Sequence, residues 1–209
     1  MKKTLTVVIA LVLVVVMSVA GTVAYLTSQD AVTNTFTVGN VQIKLDEAKA
    51  TPDGALVENA DRVKANSYKL LPGHTYNKDP MVTVLKGSES SYIKMTVTFT
   101  KANELDAIFD PDGATLTTIF NGYDSSNWTY KGNTKNAADN TRTYEFWYKE
   151  AVGAPTADVA LDALFDSITV PGSITNEQLK TIEGMTITVN AYAIQADGFN
   201  GAADAWSKY

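Results

Sequence analysis

The chain carries a single histidine, His74, and no cysteine, and these two counts limit the chemistry its side chains can reach. A hydrolytic zinc site takes three protein ligands, commonly histidines, and keeps a fourth position for water. His74 stands alone after Leu71-Pro72-Gly73, and no HExxH occurs. Only carboxylates could complete such a site, so zinc proteolysis is rejected and His74 reads as an exposed turn residue. Serine chemistry through His74 would need an acidic partner and a serine on a sharp turn, and no GxSxG is present. Carboxylates occur in the pairs Asp46/Glu47, Asp110/Asp112 and Asp162/Asp166. Nothing in their spacing selects one pair for acid–base work, and most of them read as solvated faces. Asp110-Pro111-Asp112-Gly113 opens like a calcium loop but lacks the later ligands and the distal glutamate, so it reads as a plain turn. The inventory leads to no catalytic residue, no metal and no cofactor.

A second kind of site remains. Trp128, Tyr130, Tyr144, Phe146, Trp147 and Tyr148 form an aromatic cluster. On a strand, Tyr144, Phe146 and Tyr148 share one face, which is core, and Trp147 points the other way. Trp147 is therefore the candidate ligand-facing aromatic, for a sugar or for a protein contact.

Charge and targeting narrow the partners. Lys2 and Lys3 precede an almost wholly apolar run at 5–20, and Gly21, Thr22 and Ala24 follow. That order is the three-part pattern of a secretory signal. A cut between Ala24 and Tyr25 puts Thr22 and Ala24 at the small-residue positions; a cut after Ser18-Val19-Ala20 is a second possibility. The competing reading is an uncleaved anchor, because 5–24 holds 20 residues without a charge, about the length of a spanning helix. Removing 24 of 209 residues leaves 185, enough for one core. The basic count then falls from 17 to 15 against 23 acidic residues, a net charge of −8. Such a balance argues against nucleic acid and anionic membrane surfaces. An exported chain without cysteine must take its stability from packing, ions or association. With no lipid-attachment cysteine and no hydrophobic tail or sorting motif in GAADAWSKY, the protein is expected to be released, or held at the surface by other proteins.

The elements that would position these groups are mostly strands. Phe36 and Val38, then Val41, Ile43 and Leu45, alternate with polar residues. The apolar parity switches at Gly39-Asn40, which predicts a bent strand or two short ones. Residues 49–66 read as a loop or hairpin tip around Thr51-Pro52-Asp53-Gly54. Tyr68, Leu70 and Leu71 predict a short strand stopped by Pro72-Gly73, and residues 81–85 another. Ile93, Met95, Val97 and Phe99 alternate strictly with polar or aromatic partners, the clearest half-buried strand in the chain. Asn103 is a candidate cap for a short helix carrying Leu105, Ile108 and Phe109. Residues 128–131 and 141–148 read as paired strands. Residues 157–168 have helical spacing, although 165–170 could be strand. Thr175 and Gln178 form a capping box for a helix ending near Gly184. Met185, Ile187, Val189, Ala191 and Ala193 predict a long last strand, and 199–206 a short helix laying aromatics on the sheet. Seven to nine short strands predict an all-β, antiparallel jelly-roll or Greek-key sandwich with a few short helices, behind a signal peptide.

Two groups of residues carry a resemblance. Gly21-Thr22-Val23-Ala24-Tyr25-Leu26-Thr27, followed by Asn34-Thr35-Phe36-Thr37-Val38-Gly39-Asn40-Val41, resembles the start of the TasA/camelysin family, exported proteins of Gram-positive bacteria. Leu71-Pro72-Gly73 with Lys78-Asp79-Pro80, and Ala193-Ile194-Gln195-Ala196-Asp197-Gly198-Phe199 with Ala205-Trp206, are similar to later parts of that family. Thr27-Ser28-Gln29 departs from it, since relatives often place an acidic residue there. The resemblance implies cleavage by a SipW-type signal peptidase. It also implies a jelly-roll that forms a homo-polymer in biofilm-matrix or surface fibres, with an accessory fibre-anchoring protein as a possible partner. Some camelysin relatives carry a metallopeptidase label, which the residue inventory above does not support.

The division that follows is a signal peptide at 1–24, a donor-strand segment at 25–38 and a jelly-roll at 39–209. In that family the processed segment of one subunit inserts as a strand into its neighbour. Leu26, Val32, Phe36 and Val38 share one parity and would be the plugs; full burial contributes roughly 1.5–3 kcal/mol each. The same segment could instead be an edge strand of its own fold or a frayed terminus. A monomeric surface adhesion or carbohydrate-binding module is the alternative function, and Trp147 its test residue. The expected location is extracellular, in matrix or at the cell surface, with membrane contact only through an uncleaved signal.

Overall fold

The computed structural model describes residues 39–109 and 119–209. The signal peptide, the cleavage residues Thr22, Ala24 and Tyr25, the plugs Leu26, Val32, Phe36 and Val38, and the turn around Asp110 and Asp112 lie outside them. The chain divides into the units Met1–Val38 and Gly39–Tyr209, and the second unit is built as follows.

Strict alternation makes the central strand. β4 (Ser91–Thr100) buries every second residue, with Ile93, Met95 and Val97 fully enclosed. It lies inside a four-stranded antiparallel sheet of order β5-β6-β4-β9, where β5 is Trp128–Asn136, β6 Thr141–Tyr148 and β9 Ile187–Gln195. A second sheet, β1-β3-β7, joins Ile43–Asp46, Met81–Val84 and Val159–Ala160. Val82 and Val84 of that sheet meet Ile93, Met95, Val97 and Phe146 of the first in one core, which Phe120, Trp128, Leu164 and Phe165 complete. A two-stranded ribbon of β2 (Thr75–Asn77) and β8 (Ser167–Thr169) carries a smaller core of Tyr76, Val170, Ile174 and Ile182. Among the described residues three short helices accompany the sheets: α1 (Ala102–Phe109), α2 (Asn176–Thr181) and α3 (Ala202–Trp206). The described fold is thus predominantly β, in antiparallel sheets.

Several sequence expectations hold locally. Thr175 and Gln178 make both bonds of the capping box on α2, satisfying two orphan N–H groups. The β5–β6 hairpin is longer than expected and reaches Asn136, because a bulge between Tyr130 and Gly132 absorbs the register change. Gly132 sits at φ +131°, a conformation that glycine adopts without steric cost.

Others are corrected. Tyr68, Leu70 and Leu71 form no strand. Their stretch is held by side chains and a loop: the Tyr76 hydroxyl accepts from Leu71 N and donates to Lys69 O, both at 2.7 Å, and Lys69 N donates to Pro52 O. The strand starts two residues after Pro72-Gly73 instead, at Thr75. Asn103 is not the cap of α1. Asn140, 37 residues further on, accepts from Asn103 N through its side chain and from Ala102 N through its carbonyl. Of the two readings left open for 157–170 the strand holds, as β8, and the helix does not; Leu161 N and Leu164 N donate to Val82 O and Pro80 O, so the segment before it runs along β3.

Gly54 packs closely against the backbone of β2. It stands at φ +93°, and a Cβ there would lie 2.6 Å from Thr75 O and 2.7 Å from Tyr76 Cα. Gly54 O also accepts from Asn77 N and Asn77 Nδ2. The left-handed conformation alone costs an alanine roughly 1–2 kcal/mol, and the ribbon would have to move as well. Gly54→Ala should therefore lower stability by more than about 2 kcal/mol in denaturant titration; a loss below roughly 0.5 kcal/mol would show that the turn relaxes freely.

Candidate assembly surface and the charged groups beside it

The pairs expected to be solvated divide in the structure. Asp162 and Asp166 are exposed, but Asp46 and Glu47 are 4% and 5% exposed, which corrects the reading of that pair. They close β1, and each finds a cation. Arg62 Nε donates to Asp46 Oδ1 at 2.5 Å, and its other nitrogens reach Asp79 Oδ2 and Asp79 O, both at 2.8 Å. Lys44 Nζ lies 2.6 Å from Asp46 Oδ2. Lys78, itself 8% exposed, pairs with Glu47, which also accepts from Asn66 Nδ2 at 3.0 Å. Burial pushes the Asp46 carboxyl up, but Lys44 and Arg62 more than offset it and leave it below the usual carboxylate range. The cluster ties the loop between β1 and β2 to the sandwich. Its carboxylates and cations face one another in pairs.

His74 lies in its turn, exposed, with its ring 6.4 Å from that of Tyr76. Among the described residues no group of three or more His, Asp or Glu side chains is placed to hold a metal ion. A cavity of about 110 Å³ lies beside α1, lined by Leu105, Phe109, Ile119, Val170 and Ile182 together with Arg142 and Asp106. That is below the roughly 300–1,000 Å³ of ordinary ligand pockets.

Trp147 stands where the alternation placed it, on the outer face of the four-stranded sheet. Its Nε1 donates to Glu145 Oε1 at 2.6 Å, and Lys131 Nζ lies 4.3 Å above the ring. A sugar stacking on that face would have to displace Lys131. The Trp206 ring of α3 is 6.4 Å away. Lys94, paired across the ladder with both Trp147 and Tyr192, lies 4.5 Å from the Trp206 ring centre and 4.9 Å from that of Tyr209. Contacts of this kind contribute about 0.5–2 kcal/mol each and hold the last helix on the sheet.

The sheet has two ends. One is β5, with its bulge, Lys131 and Lys135. The other is β9, which bonds β4 along its whole length and, among the described residues, pairs with no other strand.

No family model, no curated protein and no solved structure matches the chain. The functional reading therefore rests on the residues and the geometry. The four plugs and the cleavage residues are not among the described positions, and Trp147 is the one named site residue that the structure places. Sequence reasoning missed the charged cluster and the difference between the two sheet ends. The first joins residues 16 to 31 positions apart, and the second is decided by strand order; neither leaves a local signal.

Proposed function

We propose that the chain is an exported structural subunit of extracellular fibres, a TasA/camelysin-like protein with a jelly-roll sandwich. Its segment 25–38, freed by a SipW-type signal peptidase, enters a neighbouring subunit as a strand. The observation that carries this reading is the unit boundary. The unit Gly39–Tyr209 begins at the residue after the last apolar plug, Val38. Leu26, Val32, Phe36 and Val38 share one parity in the sequence, the alternation by which an added strand fills pockets while its main chain bonds the sheet. The resemblance at residues 21–41 supports the same division.

The test compares two purified chains, one beginning at Tyr25 and one at Gly39. The longer chain should form filaments in electron micrographs and sediment in a concentration-dependent way, while the shorter should be a folded monomer. A longer chain that stays monomeric over a wide range of concentration and pH overturns the reading.

A further inference from the structure

We infer that the outer edge of β9, which pairs with no other strand among the described residues, is the seat for the segment 25–38 of a second copy; this rests on the fibre reading above. The first argument is the phase of the ladder. Ala196 N donates to Ser90 O and Thr100 N to Thr186 O, at the two ends of the β4–β9 register. Hydrogen-bonded pairs alternate in an antiparallel ladder. The even-numbered residues of β9 therefore turn their backbone groups toward β4. Ile187, Val189, Ala191, Ala193 and Gln195 turn theirs to the other side, where no described strand meets them.

The second argument is the state of the core beside that edge. Ile187, Val189, Ala191 and Ala193 pair with Phe99, Val97, Met95 and Ile93. The β4 members are between 0% and 6% exposed, whereas the four on β9 are only half-buried. The sandwich is sealed at β4 and open one strand further out. Two of the four are alanines, which leave room for larger side chains from an added strand. β1 of the facing sheet comes close to β9 without pairing to it.

The third argument is the contrast between the ends of the sheet. Natural edge strands are blunted by charges, prolines or bulges. β5 has a bulge and two lysines. β9, ITVNAYAIQ, has no charge, proline or bulge over nine residues. An edge so long and unprotected is suited to receiving a strand.

The occupant follows from length and pattern. Residues 30–38 match the nine of β9, and Val32, Phe36 and Val38 fall on one face. Asn40 O accepts from Glu89 N, and Ser91 pairs with Gln195. The chain thus leaves the compact unit at the end where β9 finishes, so a return to its own edge is the outcome to be separated from entry into a second copy.

The test uses the chain beginning at Tyr25, which retains the unit Gly39–Tyr209 whole. Ala191→Pro removes one outward N–H and no bond to β4. It should leave the circular dichroism spectrum in place and reduce the sedimented fraction about tenfold or more. Because the chain has no cysteine, crosslinking then identifies the occupant. Chains carrying Phe36→Cys are mixed with chains carrying a cysteine at 187, 189, 191 or 193, and oxidised after assembly. Disulfide-linked dimers from at least one of the four mixtures support the inference. It is overturned by filaments of Ala191→Pro in wild-type yield, by no crosslink at any of the four positions, or by a monomer-internal disulfide in chains carrying both cysteines. Absence of filaments from the unsubstituted chain would instead defeat the fibre reading itself.

Discussion

Phe146→Ala should destabilise the sandwich by about 3–5 kcal/mol, the range for removing a buried phenylalanine. Phe146 is fully buried, and its ring centre lies 5.7, 5.5 and 5.5 Å from those of Phe120, Tyr123 and Tyr130. Those rings are fixed by their own contacts: the Tyr123 hydroxyl donates to Trp128 O, and Phe120 packs on Phe165 with ring centres 4.7 Å apart. The void left by the substitution therefore cannot collapse, which puts the cost at the upper end. Against a total stability of roughly 5–15 kcal/mol, that is a large share. In a unit of this size it corresponds to a fall of roughly 6–20 °C in Tm. Phe146→Leu, which keeps most of the volume, should lose much less. Denaturant midpoints for the two variants check this, and equal small losses would mean that the two sheets do not depend on this ring.

Lys78→Met should cost about 3–5 kcal/mol, for an electrostatic reason. It leaves the Glu47 carboxylate buried with only Asn66 Nδ2 and no cation beside it, the usual penalty for breaking a buried pair from one side. Replacing both, as Lys78→Met with Glu47→Leu, should recover most of the loss, because the stability of a buried pair is a small difference between attraction and desolvation. The double-mutant cycle measures the coupling; an additive double mutant would show that the two charges do not interact. Asp46 beside them sets the pH dependence. Its carboxyl is lowered by Lys44 and Arg62 despite burial. Its contribution is then complete above the unfolded value, about 3.9, and is lost as pH falls through the lower folded value. The acid limb of the stability curve should therefore flatten in Asp46→Asn, with neutral pH as the plateau for the wild type.

What could be read from the residues was what local pattern determines. β4 alternates without a break, and the α2 cap spans three residues, so both were evident before any tertiary contact was known. Asn140 capping α1, the tyrosine hydroxyl that replaces strand pairing near Leu71, and the Arg62 clasp act across gaps that no window of sequence covers. Asp46 and Glu47 read as solvated because acidic residues usually are; Lys44 is close in sequence, but Arg62 and Lys78 arrive from 16 and 31 residues away. Trp147 fell on the outer face as period two required, but Lys131 above its ring comes from the neighbouring strand. The open side of β9 was hidden for a further reason. An edge belongs to the order of strands in a sheet, and the same nine residues in the middle would have looked identical.

The loop between β1 and β2 is tied down by guanidinium and ammonium groups, with only isolated bridges such as Glu47 to Val63 and Ala50 to Leu56 where a ladder would otherwise run. A ladder frays from its end, one rung at a time. A clasp made at Arg62 and Lys78 lets go all at once. High salt or acid should therefore hand a protease the stretch around Asn66 while the two sheets behind it remain shut.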